Sequence, residues 1–497
     1  MSSPSNSLTK RNRPVHSPDG RRRSGGGIRE TAVVDPFTTL PDSLLIHLLS
    51  FLPIGDAVKT QVLSKRWQFL WTYITSLVFH ILDPPHTGDD EFVAFVDKTL
   101  ALCNCSKLKK LAIRFVYEPE YPSSYNMWTQ FAIGKGVEEF QLVFEDSLGV
   151  LREGDSYLLP QLLYTNSSFK ALELAQCNLK PQGVVCWNSL KKLSIGRVKL
   201  SEDVIQKILT GSRVLEILEL YDVYGFNRLH VSNASVKKLI VRDFWEQEKE
   251  YQIYGGHHAL LEISAPHLHS LEILGVSVHK MFRVGNVSSL VDAILRFNVM
   301  IYSYGPDDYD WYPTMLKELL QSLVHVKKIT LGNWAIQVLC IMEGKGLRSP
   351  LLKCECLTLD TGITKALLPG IAHMLQSSPN LETLVVSVPL PSTISCEYFS
   401  DKVCNFDGKH YWTSRKKPFT CLLFRLQKVK FIGFGQHEVD YYLSFVQFIL
   451  ENARVLQKMV ITARMEGNNW QKEFTQAAQK LLSFPRSSPH AVVLFSE

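Results

Sequence analysis

Two cysteine pairs, Cys103/Cys105 and Cys354/Cys356, and four histidines, His257, His258, His267 and His269, are the residues of this 497-residue chain whose types and spacing could do chemistry. Thiolates and imidazoles hold zinc, and either can act as nucleophile or base. Neither group has the spacing that such work needs. The cysteine pairs are C-x-C, lack a partner histidine, and lie in or beside apolar strand-like runs, which predicts buried thiols. The histidines flank Gly255-Gly256 and Pro266 with no thiol or carboxylate set, which predicts loop positions. No metal and no cofactor are expected. A Walker loop, a G-x-S-x-G elbow and an H-E-x-x-H helix are all absent, and Gly25-Gly26-Gly27 lies in a polar tail. With no residue cast as acid, base or nucleophile, the chain reads as non-catalytic.

Binding is then the function to look for, and composition narrows the partner. Hydrophobic residues make up 45% and charged residues 21% of the chain, a globular composition with no apolar run of membrane-spanning length. The net charge of +6 is uneven. Residues 1–35 hold seven basic residues (Lys10, Arg11, Arg13, Arg21, Arg22, Arg23, Arg29) against Asp19, Glu30 and Asp35. That tail therefore carries +4 and the other 462 residues only +2, too little for a nucleic-acid-binding body. The tail has almost nothing apolar and is expected to be disordered. Its two basic clusters, Lys10-Arg11 and Arg21-Arg22-Arg23, are spaced like a bipartite nuclear import signal. With no apolar core of a secretory signal in the first 35 residues, an intracellular protein, nuclear and/or cytoplasmic, is expected.

The stretch LPDSLLIHLLSFLPIGDAVKTQVLSKRWQFLW, residues 40–71, is far more apolar than three short helices can bury. Pro41 and Asp42 suit a helix start, and Pro53 ends that helix. Gly55-Asp56 opens a second, and Ser64 is a natural cap for a third over residues 65–71 that would set Trp67 and Trp71 on one face. The first helix is apolar nearly all round, so it must be covered on more than one side, by another chain or by the rest of this one. Leu40-Pro41-Asp42, Leu44-Leu45, Leu48-Leu49-Ser50-Phe51-Leu52-Pro53, Asp56-Ala57-Val58 and Val62-Leu63-Ser64-Lys65-Arg66-Trp67 with Leu70-Trp71 together resemble an F-box of the plant type. The resemblance implies docking to the Skp-type adaptor of an SCF (cullin-RING) ubiquitin ligase. It carries the adaptor-facing role to Leu40, Pro41, Leu44, Leu45, Leu48, Leu49, Leu52, Pro53, Val58, Leu63, Ser64, Trp67 and Leu70. His47 stands where the family tolerates several polar residues.

Beyond this segment one phrase recurs: apolar, two polar residues, apolar, any residue, apolar. It reads LKKLAI from Leu108, VEEFQL from Val137, LKKLSI from Leu190, VKKLIV from Val236, LHSLEI from Leu268, VKKITL from Val326, LETLVV from Leu381, LQKVKF from Leu426 and LQKMVI from Leu456. FKALEL from Phe169 and LEILEL from Leu215 are looser versions. Phe169, Leu172, Leu174, Cys177 and Leu179 fit the leucine-rich-repeat pattern L-x-x-L-x-L-x-x-C-x-L. The expected fold is therefore an α/β repeat solenoid, an irregular leucine-rich-repeat horseshoe, with a small N-terminal three-helix module. Cys177 becomes a corner filler. The intervening strand residues Glu173, Ser194, Glu219, Glu272 and Thr330 should face the concave side and are the candidate contacts for a target protein. The aromatic and acidic run YSYGPDDYDWY, residues 302–312, is read as a loop, either a solvated acidic connector or a contact surface for a basic or apolar ligand.

From Cys421 onward the chain reads strand (Val429 to Phe431), helix (Tyr442 to Ala453) and strand (Met459 to Ile461), an element that would seal the open end of the array. Leu450-Glu451-Asn452-Ala453 and Leu456-Gln457-Lys458-Met459 resemble the FBD segment of plant F-box/leucine-rich-repeat proteins. The expected layout is a tail at 1–35, an F-box at 36–80, repeats at 81–415 and an FBD-type repeat and cap at 416–497. The family implies a substrate-recognition subunit that presents a target for ubiquitination by tethering it. The alternative is a repeat scaffold or small-molecule sensor outside a ubiquitin ligase.

Overall fold

The fold was taken from a computed structural model of the chain. It describes residues 39–81, 88–145, 156–244, 259–278, 280–300, 311–388, 410–415, 418–434, 439–464 and 470–496, with Phe37 and Gly408 besides. The basic tail, His257, His258 and most of the 302–312 run lie outside these.

Fifteen parallel strands form one continuous sheet in strict chain order, from Ser76–His80 to Val492–Ser496. All eleven recurring phrases fall on its strands. The hydrogen bonding explains why the phrase keeps two polar residues. The first of them ends a turn, and its carbonyl accepts two N–H groups from the next repeat: Lys109 O takes Glu138 N at 3.1 Å and Glu139 N at 2.9 Å, and Lys191 O takes Glu216 N at 2.8 Å and Ile217 N at 3.0 Å. These side chains sit at the rim, where burial would leave them unpaired. Inside the strand, every second residue turns into a single core that runs the length of the array.

The returns between strands line the convex side. They include helices, among them Asp89–Leu102, Glu202–Gly211, Asn333–Gly344, Leu368–Ser377 and Val439–Asn452. In the middle they include short strands, which pair into a second sheet of Arg228–His230, Ala259–Ser264 and Lys280–Val284. At the concave sheet's exit from the central repeats, left-handed residues stack in register. Gln176, Arg197, Asp222 and Asp243 have φ between 49° and 54°, and Gly275 follows at 81°. Glycine suits the last of these, where φ is strained for any side chain and a Cβ would lie 2.0 Å from Asp243 Oδ1 unless that carboxylate rotated aside.

The N-terminal module is fused to this array. Asp42–Leu49 and Ile54–Lys59 are α-helices. The expected third helix is absent: residues 65–69 form turns, and a 3-10 turn spans Leu70–Tyr73. Trp71 is accordingly buried while Trp67 is half-exposed. The chain then enters the sheet directly at Ser76–His80, which pairs with Lys110–Arg114. Asn104 N donates to Thr72 O at 2.9 Å and locks the first repeat onto the module.

The C-terminal strand–helix–strand forms as Lys428–Phe434, Val439–Asn452 and Lys458–Ala463. It does not close the sheet, however. Helix Trp470–Leu482 follows, and Val492–Ser496 adds a further strand.

Candidate docking surfaces

The first helix divides its leucines by period. Leu45 and Leu49, one turn apart, are 0% and 1% exposed and belong to the core shared with the repeats. Leu44 and Leu48, one residue back on the adjoining face, are 48% and 42% exposed. Leu52, Phe51, Val62 and Leu63 extend that face as exposed side chains, with Pro41, Pro53 and Ser64 exposed beside them and Leu40, Val58 and Trp67 half-buried. The apolar surplus of residues 40–71 is thus shared between the chain's own repeats and a bare surface. This corrects part of the adaptor-facing set. Leu45, Leu49 and Leu70 are buried in the chain's own core, where the first helix packs on the turn at Leu70–Tyr73 and the second helix on Ser76–His80.

Arg66 holds this face in shape, a role that the sequence did not single out. Its guanidinium donates to Asp42 Oδ1 (Nε, 2.9 Å), to Phe37 O (3.2 Å) and to Leu40 O, and so ties the turn at residues 65–69 to the start of the first helix. Phe37 stacks edge-on against Trp67 with ring centroids 6.0 Å apart. His47 is exposed and packs on Phe51.

The five candidate target contacts meet on one line. Strand register sets Glu173 beside Ser194, Ser194 beside Glu219, and Glu272, then Thr330, further along the same row, with Ile240 and Ile294 between. Most are already engaged. Arg114 pairs with Glu173 at 3.3 Å, Arg242 with Glu219 at 3.3 Å and Lys238 with Glu272 at 2.7 Å. Ser194 donates to Glu219 Oε2 at 3.2 Å and is buried, so it is no contact residue. The ring of Tyr221 leans across Gly196 on the neighbouring strand, where a Cβ would lie 2.1 Å from it. Burial there raises the Tyr221 phenol well above its ordinary value.

The groups with chemical potential are structural. Cys103 and Cys105 are buried, their sulfurs 3.1 Å apart. The hydrogen bond they share lowers the Cys103 thiol and raises that of Cys105. Cys354 is buried and Cys356 half-buried. Cys177 fills its repeat corner, its thiol pushed up by burial. Among the described residues no group of three or more His, Cys, Asp or Glu is placed to hold a metal, and no helix is long and apolar enough to cross a membrane. One constellation was invisible in the sequence: His373 Nε2 lies 2.9 Å from Ser349 Oγ, and Nδ1 lies 2.8 Å from Glu343 Oε2. The spacing is that of an activated serine. The imidazole, though, is buried between two packed helices, and Glu343 also takes Arg415 at 3.3 Å. The ring pins the loop after Asn333–Gly344 to Leu368–Ser377.

Comparison with known proteins agrees with this architecture. Residues 37–78 match the F-box domain. Residues 103–487 match the family described as the At1g61320/AtMIF1 LRR domain, which takes in the segment likened to FBD. The F-box/LRR-repeat protein At3g03360 of Arabidopsis thaliana is 28% identical, over 93% of this chain and 91% of its own length. The putative F-box/LRR-repeat protein At5g02930 of the same plant is 30% identical over 86% and 87%. The putative F-box protein At1g49610 is 32% identical over 74% and 89%. With an F-box seated on a fifteen-strand repeat sheet and these likenesses along most of its length, the chain belongs to the F-box/leucine-rich-repeat protein family.

Proposed function

We propose that this chain is the substrate-recognition subunit of an SCF-type ubiquitin ligase. The F-box docks a Skp-type adaptor, and the repeats present a target protein for ubiquitination. The observation that carries this reading is the bare apolar face of Leu44, Leu48, Leu52 and Leu63, on a module whose opposite side is buried in its own repeats. A surface of this kind is an interaction site. The mechanism is tethering: because the module joins the sheet without a linker, a target held on the repeats stays at a fixed reach from the adaptor, which raises the effective concentration of its lysines near the conjugating enzyme. The reading needs no acid, base or nucleophile from this chain, and it places the protein in the nucleus and/or cytoplasm.

Co-expression with a Skp-type adaptor tests it. Wild type should retain the adaptor through purification, and Leu44→Asp with Leu48→Asp should lose it while melting normally. Retention by the double variant overturns the docking assignment.

A further inference from the structure

The concave face changes character along the array. In the first two-thirds Arg114, Lys238, Arg242 and Arg296 each reach a carboxylate on the same face, the last at Asp360, 3.0 Å away, while Lys192 and Lys328 stand singly, the one between Ala171 and Ile217 and the other between Asp292 and Cys356. On the strands Thr383–Ser387, Lys428–Phe434 and Lys458–Ala463 lysines adjoin one another instead. Register places Lys428 beside Lys458 and, two residues on, Lys430 between Val385 and Val460. Neighbouring strands lie about 4.8 Å apart and residues two apart along a strand about 6.7 Å, so the three stems leave the backbone within a triangle about 5–8 Å on a side. All three are exposed, and among the described residues no carboxylate lies within ion-pair distance of any of them. The same rows continue onto the last strand as Val492 and Leu494, which are 52% and 41% exposed.

A concentration of like charge, free of compensation and bordered by bare aliphatic side chains, repels itself in the isolated chain and is relieved by an anionic partner. We propose that this face holds an extended acidic segment of a target protein. Its carboxylates meet Lys428, Lys430 and Lys458, and its apolar side chains cover Val492 and Leu494. An added strand-like segment alternates its side chains at the spacing of these rows. Single-stranded nucleic acid fits less well, since the lysines are flanked by aliphatic side chains on which no base can stack. The proposal rests on the reading of the repeats as the target-holding surface and moves the contact from the self-paired row of Glu173, Glu219 and Glu272 to the last three strands.

The test uses the full chain with its adaptor and a fluorescein-labelled peptide of repeated Glu-Glu-Leu, read by anisotropy. Lys428→Glu with Lys430→Glu and Lys458→Glu should weaken binding about tenfold or more, and the milder Lys430→Gln about twofold to threefold. The corresponding three Lys→Arg changes should preserve it, and so should Arg21→Glu with Arg22→Glu and Arg23→Glu in the tail. Binding should fall as salt rises, and a Gln-Gln-Leu peptide should bind far less. Equal binding by wild type and the charge-reversed chain overturns the proposal. So does loss on reversing the tail, equal binding of the glutamine peptide, or stronger competition from an oligonucleotide of equal charge. Adaptor capture in the same samples separates the two readings: the lysine variants should keep the adaptor, whereas Leu44→Asp with Leu48→Asp should lose it and still bind peptide.

Discussion

Arg66 reaches back 24 positions to Asp42, with Nη2 2.7 Å and Nε 2.9 Å from the same carboxylate oxygen, while its remaining donors take Phe37 O and Leu40 O. One side chain thereby closes the docking module where the expected third helix is replaced by turns. Lysine has a single ammonium and no planar fork, so it cannot serve the same three acceptors. Arg66→Ala and Arg66→Lys should both speed amide exchange at residues 40–45 and weaken adaptor capture. The melting temperature should barely move, because the pair is partly exposed and worth at most about 1 kcal/mol. Normal exchange in Arg66→Lys would show that the charge alone suffices.

The first helix gives a sharper contrast. Leu45→Ala and Leu49→Ala each remove a side chain from the shared core and should cost about 2–5 kcal/mol. Leu44→Ala and Leu48→Ala act on exposed leucines and should stay within about 0.5 kcal/mol. Chemical denaturation of the four variants checks this, and equal losses on both faces would contradict the division of the helix.

Much of this was legible in the sequence because the repeat phrase reports burial: its apolar positions are the buried ones, and its variable position lands on the concave row, as Glu173, Glu219 and Glu272 do. Strands were missed where the signal was masked. Residues 74–79, ITSLVF, fit the phrase, but lay inside the stretch assigned to the F-box. Residues 290–295, LVDAIL, and 354–359, CECLTL, carry Val291 or Cys356 where a polar residue was required. Leu45 and Leu44 could not be told apart, since an all-round apolar helix carries no periodicity to say which side meets which partner. The isolation of Lys428, Lys430 and Lys458 depends on what stands on neighbouring strands, and register supplies that only once the strands are aligned.

Glu138 joins the first two repeats through two lysines. Lys107 and Lys170 both donate to it, at 2.7 and 2.8 Å, and these hydrogen bonds hold its carboxyl down to about 2, from 4.5. The folded value is depressed, so the contribution is fully present above about pH 4.5 and is lost as pH falls toward 2. Glu138→Gln should lose that contribution at pH 7 and match wild type near pH 2, which flattens the acid limb of the thermal-stability profile in that window. An unchanged acid limb would place the sensitivity elsewhere.

Gly370 should resist replacement on the convex side. It lies in Leu368–Ser377, where that helix crosses Asn333–Gly344, and a Cβ there would come 2.2 Å from Ile336 O and 2.8 Å from Cys340 Sγ. The first neighbour is backbone and cannot rotate away, so Gly370→Ala must push the helices apart. The displacement would also disturb the contact of His373, one turn along, with Glu343 and Ser349. Helix propensity alone would favour alanine by about 1 kcal/mol, while overpacking costs about 1–3 kcal/mol. A net loss of stability is therefore expected, visible as a lower denaturation midpoint with an unchanged slope. Gly134→Ala, at the end of Pro122–Gly134 with nothing within 4 Å, should show no such loss. Equal behaviour of the two would mean that the helix crossing is looser than the 2.2 Å approach requires.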